Sequence, residues 1–154
     1  MHTYSIFHNI RFYLFMPYEI DTPIAIDHNE ITTNYLCSSK HRGAPTYDIS
    51  VWIVDMNSEV NCFLRCLQAE WHDENNGWGL IPDGVRALLT LGHNLRNEKL
   101  LIAKFVTYQD MWHGYPADIR NKPNDKPIPR ILASWWQGGF ISKAMMSRIK
   151  QGQL

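Results

Sequence analysis

"KLLIAKFVTYQDMWHGYPADIRNKPNDKPIPR", Lys99 to Arg130, is the stretch whose reading decides the fold. Its first ten residues, Lys99 to Tyr108, are apolar and aromatic enough to form a strand. From Asp110 the character changes. His113, Tyr115, Asp118, Arg120 and Lys122 stand among Gly114, Pro116, Pro123, Pro127 and Pro129, so Asp110 to Arg130 reads as a polar, proline-stiffened loop. Beyond it, "PRILASWWQGGFISKAMMSRIKQGQL" predicts an αα-hairpin over 129–152. Pro129 suits a first helical turn, Ile131, Leu132, Trp135 and Trp136 share the core side, and Gly138-Gly139 breaks the helix. Ser142 caps a second helix, with Ile141 and Met146 spaced as a hydrophobic staple.

Upstream, Thr3 to Met16 is rich in β-branched and aromatic residues and suits one long strand or two short ones, and "PIAID" at Pro23 to Asp27 reads as a short strand. Asn34 to Pro45 reads as a loop. "TYDISVWIVDM", Thr46 to Met56, alternates apolar and polar residues and predicts the clearest strand. A helix should start at Ser58 and stop at Asn75-Asn76-Gly77, burying Val60, Phe63, Leu64, Leu67 and Trp71. A shorter helix is expected from Asp83 to Leu91, ended by Gly92. Strands and helices are partly segregated. That pattern predicts an α+β fold: a mainly antiparallel sheet packed by two central helices and a C-terminal αα-hairpin.

Length and composition set the frame. The 154 residues suit one globular domain spanning 1–154, and 45 % apolar content with six Trp supplies a core. Formal charge is zero, but residues 1–100 hold seven Lys/Arg against twelve Asp/Glu, and residues 101–154 hold eight against three. This asymmetry hints at an acidic or polyanionic partner for the C-terminal part. Three cysteines argue against a disulfide framework and for a reducing cytoplasm. No run approaches the ~20 apolar residues that span a bilayer, and Met1 to Ile20 lacks the pattern of a secretory signal.

Three constellations carry chemistry. The first is the loop: His113, Tyr115, Asp118 and Arg120 are candidate catalytic residues for acid–base chemistry on an RNA phosphodiester. His113 would move the proton and Arg120 or Lys122 would stabilise charge. The competing reading is a connector that Trp112 and Tyr115 anchor on the core. The second is sulfur and imidazole. Cys37 and His41 (C-x3-H) with Cys62 and Cys66 (C-x3-C) match a loose Cys3His zinc pattern, while free cysteines beside an apolar helix face are also ordinary small hydrophobes. The third is the hairpin, where Lys143, Arg148 and Lys150 invite comparison with a helix-turn-helix facing nucleic acid. Together with Trp112, Lys122, Lys126 and Arg130 they make the candidate binding set. His2, His8, His28, His72 and His93 point to nothing specific, and "HDENNGWG" at His72 to Gly79 lacks the spacing of a calcium loop.

The balance favours a small non-enzymatic binding or regulatory module whose partner is another protein, with no cofactor, no metal and no membrane. A ribonuclease-like enzyme built on 110–122 is the alternative, and a nucleic-acid binder using the basic hairpin is a further one.

Overall fold

The structure, a computed structural model, describes residues 18–154. The strand expected at Thr3 to Met16 lies outside the described residues. The fold is α+β. Its main sheet has strand order β1-β2-β8-β7-β4, formed by β1 (Ile24–His28), β2 (Ile31–Leu36), β4 (Asn76–Gly79), β7 (Ala103–Tyr108) and β8 (Met111–Pro116). Every pairing is antiparallel except β2 with β8. A smaller sheet joins β3 (Val51–Trp52), β5 (Gly92–His93) and β6 (Lys99–Leu100).

One helix, α1 (Met56–Gln68), covers a face of the main sheet. Asp55, three residues before Ser58, caps it by accepting the Ser58 amide at 2.8 Å. Val60, Phe63, Leu64 and Leu67 are buried, as their spacing requires. Cys62 and Cys66 are buried as well, and β4 explains why. A Cβ at Gly77 would sit 2.8 Å from Cys66 Sγ, and one at Gly79 2.7 Å from Cys62 Sγ. Two sulfurs one helical turn apart thus fit over two bare glycines, and the helix approaches the strand closely. The helix ends at Gln68, well before Asn75, because Asn76 and Gly77 are needed as strand.

Five expectations are corrected. Met111 to Pro116, read as the start of a loop, is an inner strand of the sheet. Its hairpin with β7 turns through Gln109 and Asp110, both at positive φ. Such two-residue turns usually carry Asn-Gly or Asp-Gly, which is why Gln-Asp gave no warning. Thr46 to Met56 yields only the two-residue β3. Reciprocal backbone bonds between Thr46 and Ile49 fold the chain back, leaving Tyr47 82 % and Ile53 57 % exposed. Asp83 to Leu91 forms no helix. Gly84 and Arg86 have positive φ, and Pro82 bridges Leu88 in a small protruding turn with Val85 94 % exposed. The strand expected over Lys99 to Tyr108 is split between the two sheets, and Ile31–Leu36 is strand where a loop was expected from Asn34.

The C-terminal hairpin forms as expected from α2 (Pro129–Gln137) and α3 (Lys143–Lys150), which pack together. Pro129 stands in the first turn, Gly138 closes α2, and Ser142 Oγ accepts the Met145 amide at 3.0 Å. Trp135 is fully buried against Trp71, whereas Trp136 is 43 % exposed and is not core.

Candidate functional site

Strand alternation sorts the residues of Met111 to Pro116. Trp112 faces α1 and packs on Phe63 with ring centroids 5.5 Å apart, so His113 and Tyr115 point to the opposite face. There they meet His41, from a short 3-10 turn at Ser39–His41. The His41 ring stacks on Tyr115 at 5.2 Å and on His113 at 6.4 Å. His41 Nδ1 donates to the Ser50 carbonyl at 2.8 Å. Burial lowers the pKa of both histidines. The Lys40 charge adds to this at each, with His113 and Lys122 adding further at His41. Both imidazoles are therefore neutral near pH 7. Sequence reading placed His41 only in a metal pattern and missed this stack, because a contact between residues 41 and 113–115 leaves no local trace.

Asp118 and Arg120 are engaged elsewhere. The Asp118 carboxylate accepts Asn94 Nδ2 at 3.1 Å and Asn121 Nδ2 at 3.0 Å. Asn94 also donates to Glu98 Oε1 at 2.9 Å, while its Oδ1 accepts the amides of Arg96 and Glu98. Arg120 pairs with Glu98 at 3.0 Å and donates to the Leu154 and Gln153 carbonyls. Of the four candidate catalytic residues, then, His113 and Tyr115 share one surface, while Asp118 and Arg120 meet on another through Asn94, Asn121 and Glu98.

Asp125, which the sequence did not single out, fixes the segment after β8. Its carboxylate accepts Tyr115 Oη at 3.1 Å and the Asp118 amide at 2.9 Å, and its carbonyl accepts Trp78 Nε1 at 3.0 Å. Buried Lys104 lies 3.9 Å from Asp125, donates to the Asn124 carbonyl and covers the Trp78 ring. Burial lowers the Lys104 pKa against the pull of Asp125, and burial with the Asp125 charge raises that of Tyr115. The stretch that reads as a presented loop is therefore clamped across the sheet.

Most of the candidate binding cations are latches. Lys122 donates to the Asp48 carbonyl, Lys126 to Lys150, Arg130 to Glu70 and His72, and Arg148 to Gln153. These bonds to neutral carbonyls tie the side chains down without cancelling their charge, and Arg130 and Arg148 remain exposed. Lys143 and Lys150 are exposed on α3. The zinc pattern does not assemble either. Cys37, Cys62 and Cys66 are buried and free, and no metal-holding group of three or more His, Cys, Asp or Glu exists among the described residues. Burial pushes the Cys37 and Cys66 thiols up to about 12. Among the described residues no helix is long and apolar enough to cross a membrane.

A cleft does form where Asp118, Asn121 and Lys122 meet Tyr47, Asn94, Leu95 and Arg96. Its floor is the Asn94–Asp118–Asn121 network. Its walls are Tyr47, 82 % exposed, and Leu95, 57 % exposed. The exposed Arg96 guanidinium has no hydrogen-bond or ion-pair partner among the described residues. Comparison with protein-family models, curated proteins and solved structures finds no match.

Proposed function

We propose that the protein is a small non-enzymatic binding module, and that the Tyr47–Leu95 cleft takes a segment of another protein. One observation carries this reading: two large apolar side chains stand out in solvent over a hydrogen-bonded amide–carboxylate floor, beside the uncommitted Arg96. Rigid backing keeps the entropy lost on binding small, and exposed Tyr is a frequent interface anchor. The chemistry fits a segment with an apolar side chain next to a carboxylate, the apolar group between Tyr47 and Leu95 and the carboxylate on Arg96. Three buried free thiols suit a reducing compartment, which favours the cytoplasm.

Selection of displayed random peptides on the purified protein tests this. Enriched peptides should pair an apolar residue with Asp or Glu. Tyr47→Ala should weaken them by roughly 30-fold, the scale of about 2 kcal/mol for losing an interface anchor. Peptides that bind a Tyr47→Ala, Leu95→Ala double variant as tightly as the parent would exclude this cleft.

The His41–His113 stack beside Tyr115, with Lys40 near it, favours a second reading: an enzyme acting on RNA by acid–base exchange. It requires cleavage of single-stranded RNA by the purified protein and its loss in folded His113→Ala. Intact RNA after prolonged incubation would remove it.

A further inference from the structure

His41 is only 5 % exposed, yet one edge of its ring is unfinished. Nδ1 donates to the Ser50 carbonyl at 2.8 Å, which fixes the neutral tautomer and leaves Nε2 a bare acceptor. Nε2 has no hydrogen-bond partner among the described residues, and it keeps accessible surface, unlike the sealed nitrogens of His28, Arg42 and Trp135. His113, half-buried on β8, has no hydrogen bond at either ring nitrogen among the described residues, and neither nitrogen is sealed. The two rings lie within 17° of parallel with their centres 6.4 Å apart.

Two cations stand beside this pair. Lys40, next to His41 in the 3-10 turn, is exposed, and its ammonium has no hydrogen-bond or ion-pair partner among the described residues. Its charge acts on both rings, and that of Lys122 acts on His41. Lys122 holds the Asp48 carbonyl, which is neutral and leaves the charge in place. Tyr115, stacked on His41, keeps its phenol proton, which it donates to Asp125. The Asp125 carboxylate is in turn taken up by Tyr115, the Asp118 amide and Lys104.

The lysines draw an anion, but a bare Nε2 repels an oxyanion that brings no proton. A phosphate monoester satisfies both. Its second proton leaves at about pH 6, close to the ordinary histidine value of about 6.5, so one proton can be shared between a P–O group and Nε2. Its remaining oxygens accept from the Lys40 ammonium and from the N–H of neutral His113. A phosphodiester or a sulfate ester carries charge but has no such proton to give. We propose that Lys40, His41 and His113 form a binding site for a phosphate monoester, with one P–O–H bonded to His41 Nε2 and the charged oxygens on Lys40 and His113. No bond is broken there, so the site does not rest on the RNA-cleaving alternative, although it uses the same rings. With the Tyr47–Leu95 cleft it has only the neighbouring Lys122 in common.

Titration of the isotope-labelled full chain with phenyl phosphate near neutral pH, read on the imidazole nitrogens, tests this. Saturable shifts should centre on His41 Nε2 and the His113 ring. Phenyl sulfate, alike in shape, should bind ~10-fold or more weaker, the equivalent of one charge-assisted contact. Lys40→Ala, at an exposed side chain without a partner, should cost a similar factor, and it serves where buried His41→Gln fails to fold. Above about pH 7 neither the rings nor the free ligand bring the shared proton, so affinity should fall roughly tenfold per pH unit. Inorganic phosphate and N-acetyl-phosphoserine methylamide are titrated alongside; tighter binding of either supports the site and tells a free ion from a phosphorylated side chain. Equal binding by phenyl sulfate or by dimethyl phosphate, an affinity that ignores pH, undiminished binding by Lys40→Ala, or no saturable shift up to the solubility of phenyl phosphate would each overturn the assignment.

Discussion

Removing Arg42 would strand a carboxylate in the protein interior, at a cost that should vary with pH. Glu59 has no exposed surface and accepts Tyr35 Oη and Arg42 Nη2, each at 2.6 Å. Burial outweighs both bonds and the guanidinium charge and holds the Glu59 pKa above the ordinary carboxylate value. Breaking a buried pair by deleting one partner costs about 3–5 kcal/mol. The Arg42 side chain is 16 % exposed, which favours the lower end, about 3 kcal/mol. The sign follows from proton uptake. With its pKa raised, Glu59 holds a proton more readily folded than unfolded. Its contribution to stability is thus fully present below the unfolded pKa and is lost as pH rises through the folded one. In Arg42→Ala the folded pKa climbs further, so the deficit against the parent should be small near about pH 4 and complete near about pH 8. Urea unfolding followed by Trp fluorescence measures both. Adding Glu59→Gln should restore much of the loss at the higher pH. An Arg42→Ala deficit equal at both pH values, or a double variant no more stable than the single, would refute the reasoning.

Three further outcomes are expected. Asp125→Ala should destabilise the protein by about 2–4 kcal/mol, since it strips partners from Tyr115 Oη and the Asp118 amide and leaves Lys104 buried without its counter-charge; denaturant melts check it. NMR titration of the His41 and His113 rings should give midpoints below the ordinary histidine value, so both oppose folding as pH falls through that range; a midpoint at or above it contradicts the burial described. Asp110→Gly should raise stability by roughly 0.5–1 kcal/mol in the same melts, because it relieves a left-handed non-glycine residue in a two-residue turn.

Legibility in the sequence followed the range of the interactions. The αα-hairpin was readable because its signals are local: Pro129, Gly138 and Ser142 act within one turn of where they stand. The buried face of α1 was readable from its period, but Cys62 and Cys66 were not, because what buries them is the absence of side chains at Gly77 and Gly79. Thr46 to Met56 shows the reverse failure. Its alternation is present, yet a strand needs a partner, and β5 supplies only two residues. The candidate site was readable only as a neighbourhood. His113 and Tyr115 were found, while His41, Asn94, Tyr47 and Asp125 reach their places through contacts distant in sequence. The basic residues were legible as charges, but that Lys122, Lys126 and Arg130 also hold backbone carbonyls of other segments was not.

The single parallel pairing, β2 with β8, constrains the order of events when the chain is made. Asn34, Tyr35 and Leu36 align with Met111, Trp112 and His113, partners more than seventy residues downstream. Until the ribosome has released that far segment, the β1–β2 hairpin and the oily side of α1 have no sheet to close upon. Closing so large a loop is an intrinsically slow step. Until then Tyr35 and Phe63, whose rings lie 4.5 Å apart, have each other but not Phe105 and Trp112, the downstream rings that complete their cluster.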